Sequence, residues 1–253
     1  HQNRQMQTRT GKGDRIMKKI LFLASLLAST MAFASSDIHL DKAPAKLSDQ
    51  QSLQRGAKTF VNYCLSCHSA QVMRYNRLQD IGLTEQQIKD NLIFTGAKVG
   101  DTMTNSMSKK DGLAAFGAAP PDLSVISRSR GTDWLYTYLR GFYRDETRAT
   151  GWNNVAFDKV GMPHVLYELQ GEQVLHVEKH GEHETQKLVL SKPGKMTPAE
   201  YDGMVADLVN YLDFMGEPIK TTRTKLGVWV LLFLGVFFVV AYQLKKEFWK
   251  DIH

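Results

Sequence analysis

Apolar residues recur at helical spacing in two segments of the chain. The first face contains Leu53, Ala57, Phe60, Val61 and Cys64. The second face contains Met204, Val205, Leu208, Val209 and Leu212. Capping-box sequences at 48–51 and 197–200 precede the two segments and predict where each helix begins. The pattern therefore predicts two amphipathic helices, and Gly56 in the first would let another helix cross closely.

Shorter signals fill the region between these helices. The sequence predicts a short helix near 84–94, a loop at 96–112, a turn-rich run at 117–124 and an aromatic helix over 132–142. Two apolar runs, 174–177 and 188–190, flank a polar stretch and predict a β-hairpin over 172–192. We therefore expect a mainly α-helical domain with loop insertions and one small hairpin.

Two apolar runs near the ends of the chain indicate export and membrane attachment. Residues 17–34 have a basic start, a short apolar stretch and small residues before Ser35, as in a cleaved signal peptide. Residues 226–244 are uncharged and long enough for a transmembrane helix. Residues 1–16 are interpreted as an upstream extension. The predicted domains are 35–219 outside the membrane, an anchor with its basic flank at 220–244, and a cytoplasmic tail at 245–253.

The charge is unevenly distributed between these parts. The whole chain carries a formal charge of +6, but residues 35–219 contain 20 basic and 23 acidic side chains. The excess of basic residues lies in the two terminal parts. This distribution argues against nucleic-acid binding, and it fits basic flanks at a lipid surface and an acidic domain that attracts a basic partner.

The two cysteines of the chain lie in one short run, Cys64-Leu65-Ser66-Cys67-His68. Two thiols separated by two residues and followed by histidine form the attachment signature of c-type haem. Each thiol adds to a haem vinyl group, and the histidine can bind the iron. A thioredoxin-like redox pair and half of a zinc site are the alternatives, but the first belongs after a strand and the second needs further ligands. The run predicts one covalently bound haem c.

The second axial ligand is less well defined by the residues alone. Met162 is the best local candidate, because Gly161 permits close backbone approach and Pro163 stiffens the loop. His164, Met103 and Met107 remain alternatives. A further group, His176, His180 and His183, alternates with glutamates in the predicted hairpin and is interpreted as a solvated polar loop.

Several runs, taken in order from about residue 38 to the C-terminus, resemble the cytochrome c1 family, the haem subunits of the cytochrome bc1 complex, in the proteobacterial form. They are Arg55-Gly56, the haem motif with Arg74-Tyr75 after it, 116–124 (FGAAPPDLS), 128–131 (RSRG), Asn153-Asn154, 161–163 (GMP), 209–212 (VNYL) and 215–218 (MGEP). The resemblance implies a class I cytochrome c-like haem domain.

The resemblance also implies roles for individual residues. Cys64 and Cys67 would form the thioethers, and His68 and Met162 would bind the iron. A backbone carbonyl at Pro121 would accept a hydrogen bond from the proximal imidazole, and Arg130 would pair with a haem propionate. Trp134 falls near an aromatic residue that packs by the haem in relatives.

The implied function is relay of single electrons from the Rieske iron–sulfur protein to a soluble or membrane-bound cytochrome c, beside cytochrome b and without bond chemistry on this subunit. The alternatives are a membrane-anchored cytochrome c serving a terminal oxidase, a haem enzyme or gas sensor with an open axial position, and a thiol–disulfide oxidoreductase.

Overall fold

The described part of the chain is mainly helical, with three small two-stranded sheets. The computed structural model describes residues 39–180 and 183–250, so the predicted signal peptide and residues 1–16 lie outside the described residues. The first half contains α1 (Gln50–Thr59), a π-helical segment (Phe60–Cys64), β1 (Ala70–Arg74), a 3₁₀-helix (Tyr75–Ile81), α2 (Glu85–Leu92), β2 (Thr102–Met103), α3 (Lys109–Phe116), α4 (Ile126–Arg130) and α5 (Thr132–Arg140).

The second half begins with a short antiparallel pair and ends with two long helices. It contains β3 (Phe142–Arg144), β4 (Trp152–Asn154), α6 (Tyr167–Gln170), β5 (Gly171–His180), β6 (His183–Pro193), α7 (Pro198–Gly216) and α8 (Lys220–Phe248). The sheets pair β1 with β2, β3 with β4 and β5 with β6, all antiparallel. The fold class expected from the sequence is confirmed.

One of the two predicted capping boxes is present, and the other is displaced. At α7, Thr197 and Glu200 cap each other's backbone N–H groups, with Pro198 at the first helical position. At α1 the prediction was wrong, because Asp49 rather than Ser48 is the N-cap and accepts from the backbone N–H of Ser52 at 3.0 Å. A third box, at Thr84 and Gln87, begins α2.

Helices α1 and α7 cross in direct contact, as Gly56 predicted. A Cβ atom at Gly56 would lie 2.7 Å from Cβ of Tyr211, and closer still to the carbonyl oxygen of Asp207. Beside the crossing, the guanidinium of Arg55 donates to both carboxylate oxygens of Asp207, at 2.6 and 2.9 Å. On the buried side, Nδ2 of Asn210 donates to the Ser52 hydroxyl at 3.0 Å. The crossing fixes the end of α1 from which the haem motif continues.

The hairpin was predicted correctly, whereas the region 96–112 is more ordered than expected. Residues Gly171–His180 and His183–Pro193 pair throughout their length. The side chains of 179–185 lie outside the described part. Within 96–112, the structure has the short strand β2 and the first turn of α3, whose N-cap Ser108 accepts from the Asp111 N–H at 3.1 Å. The glycine, methionine and serine residues of 96–112 indicated a loop, although a capped helix begins within this run.

The C-terminal helix α8 contains the predicted apolar run 226–244 and extends past that run at both ends. It has 29 residues, and its most apolar window has a mean hydropathy of 2.2 with no part buried. At about 1.5 Å per residue it is about 43 Å long, more than the ~30 Å hydrocarbon core of a bilayer. By length and composition it can cross a membrane.

Three residues, 217–219, connect α7 to α8. One ion pair spans this junction, and a second joins α8 to the first residue of the junction. Nζ of Lys220 donates to Asp213 at 2.9 Å, and Arg223 pairs with Glu217. The last residue of α7, Gly216, lies against Ser127, whose hydroxyl occupies the space that a Cβ would need. The start of the anchor is therefore braced against the end of α7.

Candidate functional site

A cavity of about 290 Å³ brings together residues from most of the chain. All six residues predicted as site residues line this cavity, and the other residues of its wall are mainly apolar. The predicted residues are Cys64, Cys67, His68, Pro121, Arg130 and Met162. Leu208 and Leu212 contribute the wall on the α7 side. Such an apolar cavity with few polar groups has the character of a cofactor site.

His68 is held in one orientation by the backbone of the turn-rich run. His68 is 9% exposed, and its Nδ1 lies 2.8 Å from the carbonyl oxygen of Pro121. Because a carbonyl can only accept, Nδ1 must carry the hydrogen, which leaves the Nε2 lone pair available for a metal. Burial lowers the pKa of His68, against the opposing effect of the Pro121 hydrogen bond. The lowered pKa favours the neutral imidazole, which is the form that binds iron.

The turn-rich run is itself fastened to the chain just after the motif. The carboxylate of Asp122 accepts from the Gln71 N–H at 2.8 Å, and the Ser124 hydroxyl accepts from the Val72 N–H at 3.0 Å. The Leu123 N–H donates to the carbonyl of Ser69 at 2.9 Å. These bonds explain why aspartate and serine follow Pro121, since they hold its carbonyl against His68.

The two thiols are free, and their environment is unlike that of a redox pair. Cys64 is buried and Cys67 is half-buried, with no disulfide between them. Burial, with a smaller contribution from Cys67, raises the pKa of the Cys64 thiol to about 12. Catalytic dithiols depend on a thiol with a lowered pKa. The site therefore disfavours thiol–disulfide exchange and fits thioether attachment.

Among the methionines and histidines considered as a second ligand, only Met162 lines the cavity. The Tyr138 hydroxyl donates to its sulfur at 3.3 Å. Met103 is fully buried elsewhere, where its sulfur accepts from Tyr211 at 3.5 Å. His164 is buried and stacked on Phe142, with ring centroids 4.8 Å apart. The geometry thus favours Met162 over the alternatives.

Arg130 extends along the rim of the cavity over two aromatic rings. Its guanidinium carbon lies 5.0 Å from the centroid of Trp134 and 5.9 Å from that of Phe157. No carboxylate in the described part of the chain forms an ion pair with Arg130. A guanidinium held in this way can receive a carboxylate from a bound group.

Two residues that contact the site or its loop, Tyr138 and Asn153, were assigned no role from the sequence. Tyr138 stacks on Trp134 at 4.8 Å and contacts Met162 through its hydroxyl. Asn153, 4% exposed, accepts from the backbone N–H of Lys159 in the loop before Met162. The aromatic spacing of 134 and 138 on one helix face was a usable signal for Tyr138. For Asn153, no pattern in the sequence indicated a side chain facing inward.

Comparison with known proteins gives concordant results. The Cytochrome C1 family matches residues 41–252. A protein of Nitrosomonas europaea named ammonia monooxygenase gamma subunit is 56% identical, covering 94% of this chain and 99% of its own. Cytochrome c1 of Allochromatium vinosum is 50% identical, covering 93% and 99%. Mitochondrial cytochrome c1 of Neurospora crassa is 30% identical, covering 88% and 70%.

The match over most of the chain agrees with the cavity, the paired thiols and the apolar C-terminal helix. Members of this family carry one covalent haem c and serve as membrane-anchored electron-transfer subunits, with cytochrome b and the Rieske protein. They are not catalytic by themselves. The chain belongs to the cytochrome c1 family, the haem subunits of the cytochrome bc1 complex.

Proposed function

We propose that Cys64 and Cys67 bind haem c through thioethers, that His68 and Met162 bind its iron, and that Arg130 pairs with a propionate. The observation that carries this proposal is the convergence of all five side chains on one apolar cavity. The donor set fits the group: two thiols, a neutral imidazole with a free Nε2, a thioether and an unpaired guanidinium. When bound, haem c supplies a one-electron ferric–ferrous couple.

The protein's own contribution is to hold this couple and exclude water from it. The Pro121 carbonyl orients the imidazole of His68, and Leu208 and Leu212 from α7 close one wall. A thioether ligand stabilises ferrous iron relative to a second imidazole, which favours a high potential. Tyr138 holds the thioether sulfur through its hydroxyl.

The relay proposed here takes single electrons from the Rieske protein and delivers them to a basic soluble or membrane-bound cytochrome c. The acidic excess of residues 35–219 supports a basic acceptor, because opposite charges steer association. This steering should weaken as salt rises, since the Debye length falls to about 8 Å at 0.15 M.

We also propose the orientation of the chain in the membrane. An export signal at 17–34 would place 35–219 in the periplasm, with α8 in the inner membrane and 245–253 in the cytoplasm. Lys245, Lys246 and Lys250 follow the apolar run, where they would contact anionic lipid headgroups. Protease digestion of intact spheroplasts tests this, since the haem domain should be cleaved while the tail is protected.

Replacement of Met162 tests the ligand set. Met162→Leu should leave the haem attached, abolish the methionine-to-iron charge-transfer band of the oxidised protein and lower the potential. Met103→Leu is the matched control, because Met103 is buried away from the cavity and its replacement should change neither quantity. A Met162→Leu protein with the wild-type band and potential would remove Met162 from the ligand set.

The name of the Nitrosomonas europaea relative favours a second candidate, a subunit of an ammonia monooxygenase. Affinity purification of the intact complex from membranes distinguishes the two. Cytochrome b and the Rieske protein should co-purify if the chain serves a bc1 complex. Recovery with monooxygenase subunits and without cytochrome b would support the second candidate instead.

A further inference from the structure

We propose that Asn153 is a positioning residue whose buried side chain fixes the loop that presents Met162 to the cavity. The loop comprises residues 155–162 and is called the Met162 loop below. The proposal rests on the function proposed above, in which Met162 binds the haem iron. It assigns a role to the Asn153-Asn154 pair, which neither the cavity lining nor the ligand set explains.

Every hydrogen-bonding position of the Asn153 side chain is in use. Its Oδ1 accepts from the backbone N–H of Asn154 at 2.9 Å and of Lys159 at 2.8 Å. Its Nδ2 donates to Asp145 at 3.0 Å and to Asp158 at 2.9 Å. A primary amide has two donors and one oxygen with two lone pairs. Asn153 itself is 4% exposed, whereas Asp145 is half-buried and Asp158 is exposed. A side chain lacking either function would therefore lose bonds that tie the loop to a buried residue.

The bond to Lys159 holds an unusual backbone conformation. Lys159, with φ of 58°, is the one non-glycine residue with a positive φ in the described part of the chain. A Cβ disfavours this left-handed region, so the conformation needs support from its surroundings. Asn153 binds the N–H of Lys159, and Nη2 of Arg148 donates to the Lys159 carbonyl at 3.0 Å. The turn is thus held on both sides of one residue.

The chain after this turn leads directly to Met162 through tightly packed residues. Val160 is 3% exposed and packs against Phe142 and Trp152. A Cβ at Gly161 would lie 3.0 Å from the carbonyl oxygen of Phe116. Because Val160 and Gly161 have little room to adjust, a change in the backbone at Lys159 would move the Met162 sulfur.

The start of the loop is fastened to the same helix that contacts the sulfur. Nδ2 of Asn154 donates to the backbone carbonyl of Tyr138 at 2.7 Å, and its Oδ1 accepts from the Ala156 N–H at 2.9 Å. Tyr138 also donates its hydroxyl to Met162. Asn154 therefore holds the start of the Met162 loop against α5, and Asn153 holds the half of the loop that is nearer to Met162.

Displacement of the thioether by added imidazole measures how firmly the loop holds it. The experiment uses the full-length, haem-loaded protein in detergent, and follows loss of the methionine-to-iron charge-transfer band during imidazole titration. Asn153→Asp removes both donors and faces a carboxylate toward Asp145 and Asp158. Imidazole should bind about tenfold more tightly, since the loss of both donors and the facing like charges weaken the hold on the loop by ~1.4 kcal/mol, a factor of ten.

Two further variants control for charge and for failure to fold. Asn91→Asp makes the same change at an exposed position of α2. The Asn91 amide donates to the Gln87 carbonyl of the same helix at 2.9 Å, and imidazole affinity should equal that of the wild type. Arg148→Ala removes the second support of Lys159 and should give an increase of about threefold, a fraction of one hydrogen bond. Thermal unfolding is recorded for each variant, and the imidazole titrations are made well below its melting temperature. A change in imidazole affinity then reports on the loop and not on global unfolding.

The outcomes separate this inference from the ligand assignment. If Met162→Leu abolishes the band while Asn153→Asp and Arg148→Ala bind imidazole as the wild type does, Met162 is the ligand and the positioning role of Asn153 is wrong. If Met162→Leu retains the band, the ligand assignment itself fails. Support requires the order Asn153→Asp, Arg148→Ala, Asn91→Asp in decreasing imidazole affinity.

Discussion

Replacing Gly56 by alanine tests whether the crossing of α1 and α7 depends on a missing side chain. The new Cβ would lie 2.7 Å from Cβ of Tyr211 and 2.8 Å from the carbonyl carbon of Asp207. Carbon atoms in good contact are about 3.5–4.0 Å apart, so the helices would have to separate by roughly 1 Å. The obstructing atoms include backbone, which cannot rotate away. We therefore expect destabilisation where alanine would ordinarily stabilise a helix.

The magnitude follows from two opposing contributions. Alanine in place of glycine gains about 1 kcal/mol in a helix interior, whereas overpacking a tight contact costs about 1–3 kcal/mol and occasionally more. With a backbone clash on one side, the cost should exceed the gain by about 1–2 kcal/mol. This loss corresponds to a fall in melting temperature of about 2–8 °C for a domain of this size, measured by circular dichroism of the haem-loaded protein.

Gly203 provides a matched control on the other helix. It lies on the exposed face of α7, and a Cβ there would meet nothing within 4 Å. Gly203→Ala should therefore stabilise by about 1 kcal/mol and raise the melting temperature by about 2–4 °C. A Gly56→Ala protein that melts at or above the wild-type temperature would refute the argument from the close crossing.

Three other substitutions, the last with a control at Lys89, have defined outcomes. Thr197→Ala removes one half of the capping box at α7 and should lower the free energy of unfolding by about 1 kcal/mol in urea titrations; an unchanged midpoint would contradict this. Tyr138→Phe removes the hydrogen-bond donor to the Met162 sulfur, so the sulfur should donate more electron density to ferric iron. The reduction potential should fall by up to about 60 mV, the equivalent of a tenfold change for one electron. A rise in the potential would count against this. Arg140→Met breaks bonds to Asp202 at 2.6 Å and to Asp41 at 2.7 Å, and should cost about 1–2 kcal/mol after allowance for partial exposure; Lys89→Met, at an exposed pair within α2, should cost under ~0.5 kcal/mol.

Features set by neighbouring residues were predictable from the sequence. The capping box before α7, the hairpin and the anchor each depend on residues close together in the chain, and all three are present. The N-cap of α1 shows where this approach stops. Ser48 and Asp49 are equally suitable caps by type, but the Lys46 carbonyl accepts from both the Asp49 N–H and Asn210. A contact with α7 therefore fixes the turn one residue later.

Contacts between distant residues could not be read from local patterns. His68 and Pro121 are 53 positions apart, and their hydrogen bond was expected only through the family resemblance. Tyr138 and Met162 are 24 positions apart, and a tyrosine in an aromatic helix does not reveal what its hydroxyl contacts. The four bonds of Asn153 depend on the path of the whole loop. These contacts join residues that are brought together by the tertiary fold, and the periodicity of apolar residues carries no information on such pairs.

The short junction at 217–219 has a mechanical consequence for electron transfer. Helix α7 supplies Leu208 and Leu212 to the cavity wall. The Lys220–Asp213 ion pair joins its end to α8, and the Arg223–Glu217 pair joins α8 to the junction. The wall of the cavity and the membrane anchor are therefore joined without a flexible tether. The depth of the anchor in the bilayer sets the height of the cavity above the membrane. Electron donors and acceptors must therefore reach the cavity at that height. The three-residue junction is too short to let the haem domain move toward them.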